Sequence, residues 1–488
     1  MVAVADRRAQ IWSAVRVSSG NFLEAYDFTV FGYYASAIGH VFFPTGSAFA
    51  QLMAAFMTFG AGFLVRPLGA IVLGAYLDHH GRRAGLLLTL GLMAIGTLTI
   101  ALAPGFATLG WMAPAIVVLG RLIQGFSAGG ELGGVAVYLS EIATPGHKGF
   151  YVALQSASIQ VAVIFVALVG VALSALVPPE SMQVWGWRIP FLIGCLIVPL
   201  LFALRRSLQE TDEFEQRRHS KHHPTPKKIF RSLAHNWRVV LIGMLMVTTT
   251  TVLFYFITAY TPTFGKEVLK LSGTDSLLVT LCVGISNLFW LLVMAAISDR
   301  IGRRPQLIFF SVLTLLTAYP TLASLGGAPS FGRLLAIELW FSFIYGSYNG
   351  AMLANLTEIM PVHARSSGFC FAFSLATALF GGFTPAISTA LIGFTGNRAM
   401  PAVWLCFAAA CGLAAALMAG RERFAARQLA PVERLRAFRE ASAMQGIPLS
   451  EMQLVAGGAR RVLPSRSNIS IRAGRDLTAV RVRCASTG

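Results

Sequence analysis

The pattern Asp-x-x-Gly-Arg-Arg occurs twice in this chain, as Asp78-x-x-Gly81-Arg82-Arg83 and as Asp299-x-x-Gly302-Arg303-Arg304. Each copy lies between two long apolar runs. One charged hairpin between helices is common and says little. Two copies at matching places in two halves of one chain describe a duplicated helical bundle. A second mark repeats with them. Glu141-x-x-x-Pro145-x-x-Lys148 follows the first copy and Glu358-x-x-Pro361-x-x-x-Arg365 the second, each acid seven residues ahead of its base. Internal symmetry of this kind is what transporter folds built from repeats leave in sequence.

The runs between the marks need a solvent other than water. The chain is 55% hydrophobic and only 12% charged, with a mean hydropathy of +0.66, whereas soluble domains carry about 25% charged residues. A chain of 488 residues cannot hide that much apolar surface in a water-soluble core, so a multi-span membrane protein is expected. Windows of about 20 apolar residues give about twelve spans. They fall at 18–41, 50–77, 84–103, 110–139, 149–177 and 186–205, then at 237–262, 276–298, 305–325, 332–357, 366–392 and 401–419. The expected fold is an all-α membrane protein of two pseudo-symmetric six-helix halves, 18–205 and 237–419. Residues 1–17 lead in, 206–236 form a polar central loop, and 420–488 form a basic tail expected to be disordered. Within the tail, 431–445 has the pattern of a short amphipathic helix that would lie on anionic lipid.

A net charge of +18 would fit a nucleic-acid partner, but its placement points to a membrane instead. Thirteen of the 39 Lys and Arg lie in the tail from Arg421 on, and nineteen in the amino-terminal segment and alternate loops on one side. Five (Arg188, Lys266, Lys270, Arg333, Arg398) lie on the other side, and Arg66 and Arg121 lie inside spans. This is the positive-inside pattern, which places the motif loops and both termini in the cytoplasm. Arg7, Arg8 and Arg16 fit a cytoplasmic lead-in rather than a cleaved signal.

Metal and cofactor chemistry find no foothold. The six cysteines have no metal-ligand spacing, and five fall in apolar runs as small core residues. His219, His222 and His223 lie in the central loop without an acid or cysteine at ligand spacing. No phosphate-binding Gly-x-x-x-x-Gly-Lys-Ser/Thr loop occurs, so ATP is not the expected drive. Nothing reads as an enzyme.

An ionisable group within a span is a functional candidate by default. Glu24 and Asp27 stand three residues apart in the first span, near one helix face. Two acids so close in low dielectric should not both ionise easily, the property a proton carrier needs. Arg66 precedes Asp78 by twelve residues, about 18 Å of helix, which puts it near mid-membrane, where it must face an acid or an anionic ligand. Pro67 beside it frees backbone carbonyls. In the fourth span Arg121, Gln124 and Glu131 fall within about 80° on a helical wheel. Gly125, Gly129 and Gly133 form a small-residue ladder for close packing beside that stripe. Glu131 is about 15 Å along the axis from Arg121, so its partner belongs to another helix.

The second half carries Thr248 to Thr251, Tyr255, Tyr260, Asn287, Tyr345, Tyr348, Asn349 and Asn355 in its spans, groups that suit hydrogen bonds to a polar solute or to neighbouring helices. Glu338 stands nearer the outer end of the tenth span and reads as interfacial. Gly381, Gly382 and Pro385 interrupt the eleventh span and should bend it at a gate. Asp78 and Arg82 with Glu141 are expected to form a charge cluster closing the inner side of the first half, and Asp299, Arg303 and Glu358 that of the second.

These residues resemble a known family. The paired loops and twelve spans are similar to the major facilitator superfamily. Gly20-Asn21…Glu24…Asp27-Phe28, Arg121-Leu-Ile-Gln124-Gly125-Phe-Ser-Ala-Gly129, Glu141-Ile-Ala-Thr-Pro145 and Trp185-Gly-Trp187-Arg188-Ile-Pro190-Phe resemble its metabolite:proton symporter family. Phe254-Tyr255-Phe256-Ile257-Thr258, Thr261-Pro-Thr-Phe-Gly265, Tyr345-Gly-Ser-Tyr348-Asn349-Gly350-Ala-Met and Phe380-Gly381-Gly382-Phe-Thr384-Pro385-Ala-Ile-Ser-Thr resemble the citrate and tricarballylate branch. The resemblance covers residues 12–420. It implies a monomeric proton-coupled importer of a tricarboxylate in a bacterial inner membrane, with a small carboxylate and protons as partners and no cofactor. Arg66, Arg121, Gln124, Tyr255, Tyr348 and Asn349 would bind substrate, and Glu24, Asp27 and Glu131 would carry protons. Symport of a dicarboxylate or a zwitterionic osmolyte is the alternative, and a transporter-like nutrient sensor a more distant one. Ala295 stands where the branch has glycine, a change expected to loosen the second motif loop, and the tail after Gly420 has no counterpart.

Overall fold

The structure is a computed structural model and describes residues 21–44, 46–80, 82–129, 132–144, 146–206, 231, 234–325, 329–360 and 365–419, with two strands in the tail. Among the described residues, eight helices are long and apolar enough to cross a membrane, and the bent pair Pro179–Gly186 and Arg188–Ala203 supplies a ninth. Three further stretches bring the spans to twelve. They are residues 21–42, with a turn at Tyr34; Met112–Ala128 continued by Leu132–Ile142; and Phe331–Ile359. Each of these three carries buried polar side chains: Asp27, then Arg121 and Gln124, then Glu338 and Asn349. Leu196, Leu200 and Leu316 turn outward, as side chains facing hydrocarbon do.

The spans are broken where the sequence removes or loosens backbone hydrogen bonds. The second span is two helices, Ala48–Leu64 and Arg66–His80, meeting at Val65 just before Pro67. The seventh, Trp237–Val268, runs through two wide π turns, Phe256–Tyr260 and Phe264–Val268, on either side of Pro262. The eleventh, Ser367–Thr395, widens at Thr377–Gly381 before Pro385. Turns of this kind cluster at functional sites.

Two apolar cores fill the bundle, one around Tyr26, Phe31, Phe59 and Val117, the other around Val247, Phe256, Phe310 and Leu353. The halves meet where the fifth span, Lys148–Leu176, lies along the eighth, Gly273–Ile301, and where the second and fourth reach the eleventh. Close approach depends on glycine. A Cβ on Gly125 would lie 1.5 Å from the carbonyl oxygen of Gly62, and one on Gly129 would lie 2.2 Å from that of Arg66. The fourth span therefore lies backbone to backbone against the second, which sets Arg66 and Arg121 side by side.

Ala295 does not loosen its loop. It is fully buried, and the small residues are its neighbours: a Cβ on Gly149 would meet the Ala295 carbonyl at 2.8 Å, and one on Gly350 its nitrogen at 2.8 Å. Residues 420–488 form a separate unit. In it Ile469–Ala473 pairs antiparallel with Val480–Cys484, Ile471 opposite Val482. The segments 1–17 and 431–445, and the central-loop histidines His219, His222 and His223, lie outside the described residues.

Candidate functional site

The breaks in the second span and the glycine contacts with the fourth gather charge at one level of the first half. Arg66 and Glu24, both buried, form an ion pair between the second and first spans. The Arg66 guanidinium also lies 5.5 Å from the Phe63 ring and 5.8 Å from the Phe28 ring, and it reaches the hydroxyl of Tyr255 on the seventh span. Arg66 therefore faces an acid, as its depth demanded.

Arg121 is held differently. It is fully buried, with its guanidinium 4.3 Å from the Phe28 ring, 4.6 Å from Phe31 and 5.1 Å from Phe59. Aromatic faces stabilise a cation through their quadrupole but supply no counter-charge. Its hydrogen bonds go to neutral oxygens, Gln124 Oε1 at 2.9 Å and the Phe59 carbonyl at 3.5 Å. Its Nε meets no partner, and no described carboxylate pairs with it.

Asp27 is tied to Arg121 through Gln124. The Gln124 amide nitrogen donates to Asp27 at 3.4 Å and to Thr97 at 3.0 Å, and Thr97 donates to Asp27. Asp27 Oδ1 has no protein partner. Glu24 and Asp27, three residues apart, thus do not share a site. Glu24 pairs with the second span, while Asp27 points to the third and fourth. Each acid has its own guanidinium, one in direct contact and one through an amide.

The second half closes this site with neutral groups. The Tyr255 ring stands 5.2 Å from Phe63 and 5.7 Å from Phe59, so it completes the aromatic wall around both cations. The Tyr345 hydroxyl accepts from Asn349 at 3.2 Å and from Gln160 of the fifth span at 3.3 Å. Gln160 in turn accepts from Asn287 of the eighth span at 3.1 Å. Asn287 Oδ1 and Asn349 Oδ1 are buried acceptors without protein partners. Tyr348 is placed elsewhere: its hydroxyl donates to the Met246 carbonyl at 3.1 Å, in the packing of the tenth span on the seventh.

At the motif-loop end, Arg303 pairs with Asp299 at 2.6 Å and with Glu358 at 3.5 Å. Asp299 does more than hold its own loop. Its two oxygens accept from the backbone N–H groups of Gly149 at 2.8 Å and Phe150 at 3.1 Å. These are orphan donors in the first turn of the fifth span, where helix geometry favours an anion. The second half is thereby fastened to the first. Lys148, in the same turn, lies in the field of Glu358 and Glu141 and of Arg365 and Arg303. Glu131, and the side chains of Asp78 and Arg82, lie outside the described residues.

Glu338, expected at an interface, is fully buried and accepts from Thr261 at 3.0 Å, because the tenth span packs against the seventh at this level. Thr97 and Gln160 were missed. Two glutamines, Gln155 and Gln160, in the apolar run of the fifth span were a visible signal, whereas a threonine in an apolar helix is too common to be one.

The comparisons with known proteins agree with this architecture. The Major Facilitator Superfamily description matches residues 17–381. The citrate-proton symporter of Salmonella typhi is 58% identical over 415 residues, 85% of this chain and 95% of that protein. The alpha-ketoglutarate permease of Escherichia coli K12 is 34% identical over 79% of this chain and 88% of its own. Among solved structures, the xylose transporter XylE from E. coli, in a partially occluded inward-open conformation, superposes with a TM-score of 0.68 at 19% identity, covering 84% of this chain and 97% of that one, a likeness of fold. A duplicated twelve-helix bundle with polar spans at its centre, matched along most of its length, is a transporter, and the chain belongs to the Major Facilitator Superfamily.

Proposed function

We propose that this protein imports a tricarboxylate, citrate or tricarballylate, together with protons by alternating access. It does so as a monomer in a bacterial inner membrane, with its termini and motif loops in the cytoplasm. The observation that carries the reading is Arg121, a fully buried cation boxed by Phe28, Phe31 and Phe59 with no acid paired to it among the described residues. A charge in so dry a place calls for an anion, and a planar guanidinium binds carboxylate two-pronged. Arg66 offers a second such group once Glu24 releases it. A proton on Glu24 dissolves the ion pair and frees Arg66. A proton on Asp27 leaves Arg121 as the charge of its Gln124-linked pair. Each bound proton thus strengthens the pull on a substrate carboxylate, and each bound carboxylate favours protonation, which is reciprocal coupling between two ligands. On the far side the acids ionise, reclaim their guanidiniums and expel the substrate.

Tyr255, Asn349 and the amides of Gln160 and Asn287 supply neutral hydrogen bonds for the rest of the molecule. The relative named a citrate-proton symporter, 58% identical, supports this substrate class over that of the permease at 34%. Each negative charge entering a cell that is negative inside costs about 2.3 kcal/mol per 100 mV, so a fully ionised tricarboxylate needs about three protons for electroneutral entry. Asp299, Arg303 and Glu358, and in the first half Asp78, Arg82 and Glu141, form the inner gate. The test is uptake of labelled citrate, tricarballylate, succinate and a betaine into vesicles under an imposed proton gradient. Uphill accumulation of citrate or tricarballylate is expected; preferential accumulation of succinate or the betaine would overturn the assignment.

A further inference from the structure

Glu338 is an acid that this cycle does not use. It sits seven residues into the tenth span from Phe331, about 10 Å of helix from the end opposite the motif loops. It is fully buried. Thr261 Oγ1 donates to its Oε1 at 3.0 Å, and its Oε2 meets no protein partner. The titratable groups around it are engaged or turned away. On the seventh span, Glu267 pairs with Lys266 at 3.8 Å and accepts from Ser36, and the Tyr260 hydroxyl accepts from Thr389. On the eighth, Asp275 is half-buried in the first turn of the helix; on the ninth, Tyr319 faces outward; on its own span, Arg333 is exposed. No described cation pairs with Glu338. An ionised carboxylate with one hydroxyl for company is strongly disfavoured in such a place.

Two features connect it to the central site. Glu338, Ser342, Tyr345 and Asn349 follow at i, i+4, i+7 and i+11, one helix face within about 60°. All four are buried. Ser342 donates to Ser286 at 2.8 Å, the neighbour of Asn287, and Tyr345 receives from Gln160 and Asn349. A row of polar groups thus leads from Glu338 to the site between the halves. At the other side, Thr261 adjoins Pro262 between the two π turns of the seventh span, the segment of that helix least fixed by regular hydrogen bonds.

We propose that Glu338 is a further proton-binding site of the transport cycle. Its carboxylate takes a proton from water when the seventh span parts from the tenth on the face opposite the motif loops. It returns that proton through the Ser342–Tyr345 row to water on the other face, and no other group changes its charge. The proposal rests on the proton-coupled reading above and adds to its count of protons.

The experiment uses the full chain in proteoliposomes. The steady-state accumulation of labelled citrate is measured against an imposed pH gradient at clamped potential, and the slope counts coupled protons. Glu338→Gln should lower that slope by about one proton per substrate, and Glu338→Asp should restore it. Counterflow of labelled for unlabelled citrate should stay within about twofold of wild type. An unchanged slope in the glutamine variant would sink the proposal, and so would loss of counterflow, which would make Glu338 a structural residue. Infrared difference spectra give a readout independent of transport: the wild type at neutral pH should show a protonated-carboxyl band that Glu338→Gln removes, and a wild type without that band would overturn the proposal. Absence of citrate counterflow in the wild type itself would instead refute the substrate reading, and the infrared result would still decide Glu338.

Discussion

Arg121 and Arg66 are chemically alike and differ in what surrounds them. Arg66 has Glu24, whereas Arg121 has three phenyl rings, an amide and a carbonyl. Lysine at position 121 would keep the charge but lose the flat face that stacks on Phe28 and the fork that grips a carboxylate. Arg121→Lys should therefore raise the substrate concentration for half-maximal uptake by about tenfold or more, a loss of about 1.4 kcal/mol. If saturation curves for Arg121→Lys and Arg66→Lys both match the wild type, the two guanidiniums serve packing only. The acids are tested by separating accumulation from exchange. Glu24→Gln and Asp27→Asn should abolish uphill accumulation while sparing counterflow, which moves no net protons. If neither variant, nor Glu131→Gln, loses accumulation in a proton gradient, the coupling site lies elsewhere.

At the scale of helices, the site depends on contacts that no polar side chain makes. The fourth span touches the second through Gly125 and Gly62, where a Cβ would fall 1.5 Å from a carbonyl oxygen. Gly125→Ala must push the two helices apart, which carries Arg121 away from Arg66. Overpacking of this kind costs about 1–3 kcal/mol, and the purified variant should melt at a lower temperature in detergent and bind substrate more weakly. An unchanged melting temperature would mean that the helices are not pressed together there. The motif-loop end works by a different device. Asp299 fastens the eighth span to the first turn of the fifth through two backbone N–H groups, a link that must part whenever that side opens. Asp299→Asn leaves one acceptor oxygen and no charge. It should slow uptake several-fold, by about 1 kcal/mol or more in the barrier, with an unchanged amount of protein in the membrane. Normal uptake rates would remove the gate from this position.

At the scale of the molecule, the chain divides into the helical bundle, Met1–Ala419, and the unit Gly420–Gly488. The relative at 58% identity is matched over 85% of this chain, a length the bundle by itself supplies. The tail has no apolar run long enough to span a bilayer. Deletion from Arg427 onward should leave citrate uptake at the wild-type rate, measured per amount of protein in the membrane. A truncated protein that reaches the membrane yet does not transport would give the tail a working role.

The duplication, the helical class and the number of spans were determined by sequence alone. They rest on quantities local to the chain: about 20 apolar residues span a bilayer whatever lies beside them, and a repeated Asp-x-x-Gly-Arg-Arg needs no neighbour to be seen. The packing ladder of Gly125 and Gly129 was legible for the same reason, since rise and periodicity are properties of one helix. The pairing of charges was not. Glu24 meets Arg66 across 42 residues and Gln160 meets Tyr345 across 185, and such contacts depend on where helices cross. An i, i+3 spacing put Glu24 and Asp27 on one face, but the second, third and fourth spans converge on that face from different sides and draw the two acids apart. Glu338 looked interfacial by its distance from a helix end, and tertiary packing on the seventh span buried it. Hydrophobic periodicity tells each helix which residues avoid water; only the crossing of helices, set by glycine contacts and backbone breaks, decides which polar group each buried charge must face.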